Sequence, residues 1–274
     1  MIRSIKTIMR QDREPYRVPR RVQDVIPIQC VWPDGIFKVG IKFSKTYRFT
    51  DINYKVASRN DKETMFLAYS ELLNSLDCAA TTKLTICNRR QSQADFEQSV
   101  LMPMREDGLD KYRREYNQML MDKATGANGI TQEKYVTITV YKRDIEDARA
   151  YFTRIGADLT ARVAALGSKC VELDATDRLR ILHDFYRAGD EGNFHFDMAD
   201  MARKGHDFKD YICPDGIEKH SDYLKLGDRY CRVLFLKDYA NYIQDEIVTN
   251  LTDLDRNMML SIDIPVSYTH LRAH

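Results

Sequence analysis

The sequence predicts an α+β protein in which amphipathic helices pack on a mixed sheet, opening with a β-hairpin and closing with a β-α-β unit. Three observations carry that expectation. The stretch Tyr135 to Tyr141 alternates Val136, Ile138 and Val140 with Thr137 and Thr139, the period-2 pattern of a half-buried strand. From Asp144 to Leu166 the apolar residues Ile145, Ala148, Phe152, Ile155, Leu159, Val163 and Leu166 recur at steps of three and four, which is one face of a long helix. Pro33-Asp34-Gly35 separates two β-rich runs, with Pro presetting φ and Gly tolerating a positive φ, so a hairpin is expected over about residues 26 to 40.

The remaining elements follow in chain order. Residues 61 to 77 place Met65, Tyr69, Leu72, Leu73 and Leu76 on one helical face, and "KLTIC" (83 to 87) reads as a short strand. A helix from Leu109 to about Lys123 presents Leu109, Tyr112, Tyr116, Met119 and Leu120, and "GANG" stops it. Gly167 closes the long helix; another is expected over about 174 to 187, ending at "RAGDEG". Residues 193 to 209 read as irregular, and a second Pro-Asp-Gly turn follows at 214 to 216. The closing unit is "DRYCRVLFL", a helix over about 239 to 255, and a strand from Met258 to Ile264. Its register puts Leu260, Ile262 and Ile264 on a face shared with Ile243, Ile247, Leu251 and Leu254 of that helix.

At 274 residues the chain can bury about 75% of its unfolded surface. Charge is balanced, with 42 basic and 41 acidic residues, and 43% of residues are hydrophobic, which excludes the disordered and membrane classes. Uncharged runs such as Val25 to Trp32 are far shorter than the roughly 18 residues a membrane span needs. Six cysteines are scattered without a CxxC pair, so they read as buried thiols.

The first 24 residues form a separate basic arm. Residues 1 to 21 hold seven basic residues against Asp12 and Glu14, a net of +5, which leaves the remainder at −4. Arg10, Arg13, Arg17, Arg20 and Arg21 are the candidate contacts for an anion or partner, because guanidinium groups neutralise phosphates; DNA is one such partner. No GxxxxGK[ST] or GxGxxG occurs among the 12 glycines, so no phosphate-cradling loop is expected. Neither GxSxG nor a cysteine-nucleophile context is present, and no catalytic residue is assigned. His183, Asp184, His195 and Asp197 are the one set with metal-ligand chemistry; their spacing fits no familiar pattern, and no metal site is assigned. A metal-dependent enzyme using His183 and His195 is therefore an alternative reading, as is a nucleic-acid binder acting through the arm.

The block "IQCVWPDGIFKVGIKFSKTYRFTDINYKVASRNDKETMFLAYSELLNSLD" resembles the N-terminal domain of conjugative-transfer ATPases, the VirB/TrbE/CagE-type motor proteins of type IV secretion systems. Similar order is seen in "EYNQMLMDKATGANGITQEKYVTITV" and in "DYLKLGDRYCRVLFLKDYANYIQDEIVTNLTDLDRNMMLSIDIPV", so the resemblance covers nearly all of residues 24 to 266. It implies an α+β module at 25 to 266 for docking and hexamer assembly, ahead of a RecA-like motor domain that this sequence does not reach. It also implies secretion subunits at the inner face of the membrane as partners, a cytoplasmic and peripheral location, and ATP with Mg in the full-length parent. No cofactor is expected in this chain. Residues 267 to 274, within "SYTHLRAH", have neither apolar period nor cap and resemble an adapter-derived tail, so the chain is expected to be a truncated piece with a foreign ending.

Overall fold

The structure, a computed structural model, describes residues 19–52, 54, 57–75, 80–90, 101–126, 130–238, 242 and 244–264. Its centre is a seven-stranded sheet. β1 (Cys30–Val31) and β2 (Phe37–Val39) form the expected hairpin, and β3 (Lys42–Phe49), β4 (Ala80–Arg90), β5 (Ile130–Tyr141), β6 (Cys170–Glu172) and β10 (Met258–Ile264) complete the sheet. The order is β1-β2-β3-β5-β4-β10, with β6 also on β3. A separate three-stranded sheet holds β7 (Ile217–Lys219), β8 (Leu224–Leu226) and β9 (Arg229–Cys231). The fold is α+β as expected. Every ladder among the described residues is antiparallel, so the sheet is not mixed.

Alternation in the central strands makes two unlike faces. Phe43, Tyr47, Val136, Ile138, Val140 and Ala80 point one way and form the main core with the helix α3 (Ile145–Ala165). The helix begins at Asp144, whose side chain accepts from the Asp147 amide at 2.9 Å, and it ends at Gly167 with φ +81°. Ala148, Phe152, Ile155, Leu159 and Val163 are its buried stripe, as the period required. Lys45 is the exception on the apolar face, and its ammonium is held by Glu172 at 2.5 Å.

Helix α1 (Arg59–Ser75) turns Leu72 into the main core; Met65 and Leu73 are half-buried, while Tyr69 stays partly exposed. Helix α2 (Asp110–Gly126) departs from expectation, because Leu109, Tyr112, Tyr116 and Met119 face outward. Its polar side is the anchored one: Arg113 pairs with Asp107 and Asp110, and Asn117 exchanges two 2.9 Å hydrogen bonds with the Met102 backbone.

The opposite face carries a second core where α4 (Ala175–Tyr186) covers the hairpin end, with Ile26, Ile28, Phe37, Leu179, Phe194, Phe208 and Ile212 packed together. Residues 193 to 209, expected to be irregular, contain the short helix α5 (Met198–Lys204) and lead into a 3-10 turn at Phe208–Tyr211. The Asp197 and Asp207 side chains cap these two elements, a local hydrogen-bonding signal that apolar periodicity does not report. The turn at Val22–Val25 docks here, inside the span expected to be an arm, as Lys209 donates to the Gln23 and Ile26 carbonyls.

The closing strand-helix-strand succession is present in order, with helix α6 (Asp245–Thr252) before β10, but its two strands lie in different sheets. β9 is captured by β8 across the two-residue turn Gly227-Asp228, and such a short loop closes at low entropic cost. The pairing therefore stops at Cys231, before "RVLFL" begins. β10 runs antiparallel to β4 instead, at the edge of the large sheet. Leu260, Ile262 and Ile264 share one face, but Ile262 remains 41% exposed and Ile247, Leu251 and Leu254 are exposed as well, so the expected closed core is open there. Ile243 lies outside the described residues. Among the described residues no helix is long and apolar enough to cross a membrane.

Candidate functional site

The residues singled out by sequence do not converge. His183 lies on the buried side of α4 with its ring 5.1 Å from that of Phe194, and its Nδ1 is 3.3 Å from the Asp184 carboxylate. His195 is exposed in the segment before α5, and Asp197 accepts from the Ala199 amide at 2.8 Å. His183 thus packs and Asp197 caps a helix, while Asp184 pairs with Arg89. Among the described residues no three His, Cys, Asp or Glu side chains gather into a group able to hold a metal ion. Arg20 and Arg21 are exposed beside the Val22–Val25 turn; Arg10, Arg13 and Arg17 lie outside the described residues.

What the structure adds is a cavity of about 310 Å³ between α4 and the second face of the sheet, lined by Arg48, Arg89, Glu133, Tyr135, Asp184 and Met259 among others. Several of its charges pair within the wall: Arg48 lies 3.4 Å from Glu133, Arg89 lies 3.0 Å from Asp184, and the Tyr135 hydroxyl donates to Glu133 at 2.6 Å. Burial, helped by Glu133 and Asp184, pushes the Cys87 thiol up to about 12, so it is not a thiolate nucleophile at neutral pH. Burial and the Glu133 hydrogen bond also raise the Tyr135 phenol. Asp177, also in the lining, has its carboxyl raised by burial and by the neighbouring Asp174 charge.

Beside it, the odd-numbered positions of β4 and β5 and the even-numbered positions of β3 make a hydroxyl-rich groove of about 430 Å³. Thr46 and Thr137 bond at 2.9 Å, and Thr85 meets Ser261 of β10 at 3.2 Å. The alternation that gave the core also gave this face, although apolar patterning alone draws attention only to the other one.

The most unusual surface is apolar. Val233, Leu234, Phe235 and Leu236 are 77%, 83%, 85% and 73% exposed, in a stretch outside any helix or strand directly after β9. No hydrogen bond among the described residues engages their backbone. Exposed Ile247, Leu251 and Leu254 of the α6 region and Met259 and Ile262 of β10 continue the apolar character further along the chain. Runs of this kind mark protein or membrane contacts more often than catalytic sites. No protein-family model matches the chain, and no curated protein matches it.

Proposed function

We propose that this chain is a docking and assembly module, and that it serves as the N-terminal domain of a type IV secretion ATPase of conjugative DNA transfer. The observation that carries the docking half is the exposed run Val233–Leu236, which leaves four consecutive large apolar side chains in water. Exposure of that kind costs solubility unless a partner covers it. The conjugation half rests on the sequence blocks between residues 24 and 266. In this reading the partners are secretion subunits at the cytoplasmic side of the membrane and further copies of the chain, while ATP and Mg act in a motor domain of the parent.

The test is direct binding between the purified chain and the inner-membrane secretion subunits encoded on the same element. Saturable binding to one of them, weakened about tenfold or more when Leu234 and Leu236 are changed to Ser, is expected. Absence of binding to every such subunit, or binding indifferent to those changes, would overturn the reading.

A further inference from the structure

The large sheet ends in an open edge. β10 pairs with β4 along one side, from Met258 opposite Asn88 to Ile264 opposite Thr82, and among the described residues nothing pairs with its other side. An edge strand presents alternate amides and carbonyls outward, ready for another strand. The same chain carries an apolar stretch outside any helix or strand and with no ladder of its own, Val233–Leu236, flanked by Arg232 and Lys237.

These two features fit one another in one antiparallel register. With Arg232 opposite Asp263, Val233 falls opposite Ile262, Phe235 opposite Leu260 and Leu236 opposite Met259, while Leu234 meets Ser261. Side chains directly opposite share a face, so Val233 and Phe235 extend the helix-covered face and Leu236 joins Met259 on the other. The single acid on β10, Asp263, has a side chain 60% exposed and only a 3.5 Å contact with Lys83. The parallel orientation that an in-chain crossover would require matches it less well, since aligning Val233 with Leu260 puts Leu236 opposite Asp263.

We infer that the outer edge of β10 takes up residues 232 to 237 of a second copy of this chain, as an added antiparallel strand. The segment's own β10 is not its acceptor here: it stands exposed, tethered to the small sheet through β9 and by the Arg232 guanidinium, which donates to the Asp222 carbonyl at 3.1 Å. Donor and acceptor are different surfaces of one protomer, so reciprocal exchange closes a two-fold dimer and one-way exchange builds a ring or filament. The inference deepens the assembly half of the reading above by naming the surface and the register.

The experiment is light-scattering mass measurement on the full chain over a dilution series, with circular dichroism and melting to report folding. Wild type is expected at a multiple of its 32.0 kDa mass, and Val233→Asp with Phe235→Asp is expected to be monomeric with an unchanged melt. Arg232→Asp alone and Asp263→Arg alone should each weaken self-association by about tenfold, and the two together should restore it. A wild type that is monomeric throughout, an oligomer indifferent to the Val233 and Phe235 changes, or a charge swap that fails to rescue would overturn the inference. A large drop in melting temperature of the Val233→Asp, Phe235→Asp variant would do so too, because it would show the segment packed within its own chain. Secretion subunits are absent from this measurement, so it can fail while subunit docking holds, and the reverse.

Discussion

Gly156 of α3 lies against the Tyr47 ring: a Cβ at that position would stand 2.9 Å from the Tyr47 hydroxyl oxygen, 3.1 Å from its Cε1 and 2.6 Å from a Glu172 carboxylate oxygen. Tyr47 is fully buried, and its hydroxyl donates to the Phe152 carbonyl at 3.3 Å. Burial, with the Glu172 charge adding to it, raises the phenol above its ordinary range, so it stays a neutral donor. The missing side chain is what lets the helix approach β3 this closely.

Gly156→Ala should therefore destabilise the protein by up to about 2 kcal/mol. Helix propensity favours Ala by about 1 kcal/mol, but overpacking a rigid core costs about 1–3 kcal/mol and the Tyr47 ring has nowhere to go. Urea unfolding measures it. The loss should be smaller in a Tyr47→Phe background, where the hydroxyl oxygen 2.9 Å from the added Cβ is removed, and a stabilised Gly156→Ala protein would contradict the contact.

Arg178 is a buried hub between the hairpin and β3. Its guanidinium donates to the Gly35 and Ser44 carbonyls, both at 2.7 Å, and lies 3.9 Å over the Phe37 ring. Burial pulls it down to about 9, which leaves it charged at neutral pH. Arg178→Met should cost about 2–4 kcal/mol, because two buried carbonyls lose their donor. Arg178→Lys should recover only part of this: one nitrogen, Nη1, serves both carbonyls and an ammonium could replace it, but the Nη2 bond to the Ser44 hydroxyl and the planar stacking on Phe37 are lost. Denaturant midpoints of the two variants test this.

The start of α2 should be acid-sensitive. Hydrogen bonds from Arg113 and from the Leu109 amide hold the Asp107 carboxyl at about 2, down from 3.8, and the Arg105 amide and Arg113 lower Asp110. A depressed carboxylate pKa means stabilisation that is complete above the unfolded value and lost as pH falls through the folded one. Amide exchange over residues 109 to 113 should therefore accelerate between about pH 4 and about pH 2, ahead of exchange in β5. Arg113→Ala should produce the same fraying at neutral pH, and unchanged exchange in that variant would rule the ion-pair cluster out as the anchor.

Thiol labelling should be ordered. Cys30 is exposed at the start of β1, whereas Cys87 is buried and its thiol is raised to about 12. Iodoacetamide at about pH 8 should modify Cys30 first and leave Cys87 until the protein is denatured, because only thiolates within reach of reagent react. Peptide mass mapping over time reads the order, and early loss of Cys87 would mean the cavity beside it opens readily.

Local chemistry was enough for the elements whose signals close on themselves. Asp144, the apolar stripe from Ile145 to Val163 and Gly167 specify α3 because cap, period and left-handed stop are all short-range, and Pro33 to Gly35 specify the first hairpin in the same way. The strand at 258 to 264 and its alternation were likewise legible. Burial was not, because a period says which side chains share a face and never what that face meets. The stripe at Tyr112, Tyr116 and Met119 reads as core-facing, yet the Arg113 cluster and Asn117 turn it to solvent. The apolar stripe of α3 says nothing of Gly156, whose place is set by Tyr47, 109 positions earlier in the chain, lying beside it. Within the candidate docking surface, the apolar run at 233 to 236 was visible as a strand-former, but its lack of a ladder was decided elsewhere. The short Gly227-Asp228 turn commits β9 to the small sheet, and β4, far earlier in the chain, takes β10 into the large one, so a local hairpin and a long-range pairing together left these side chains in water.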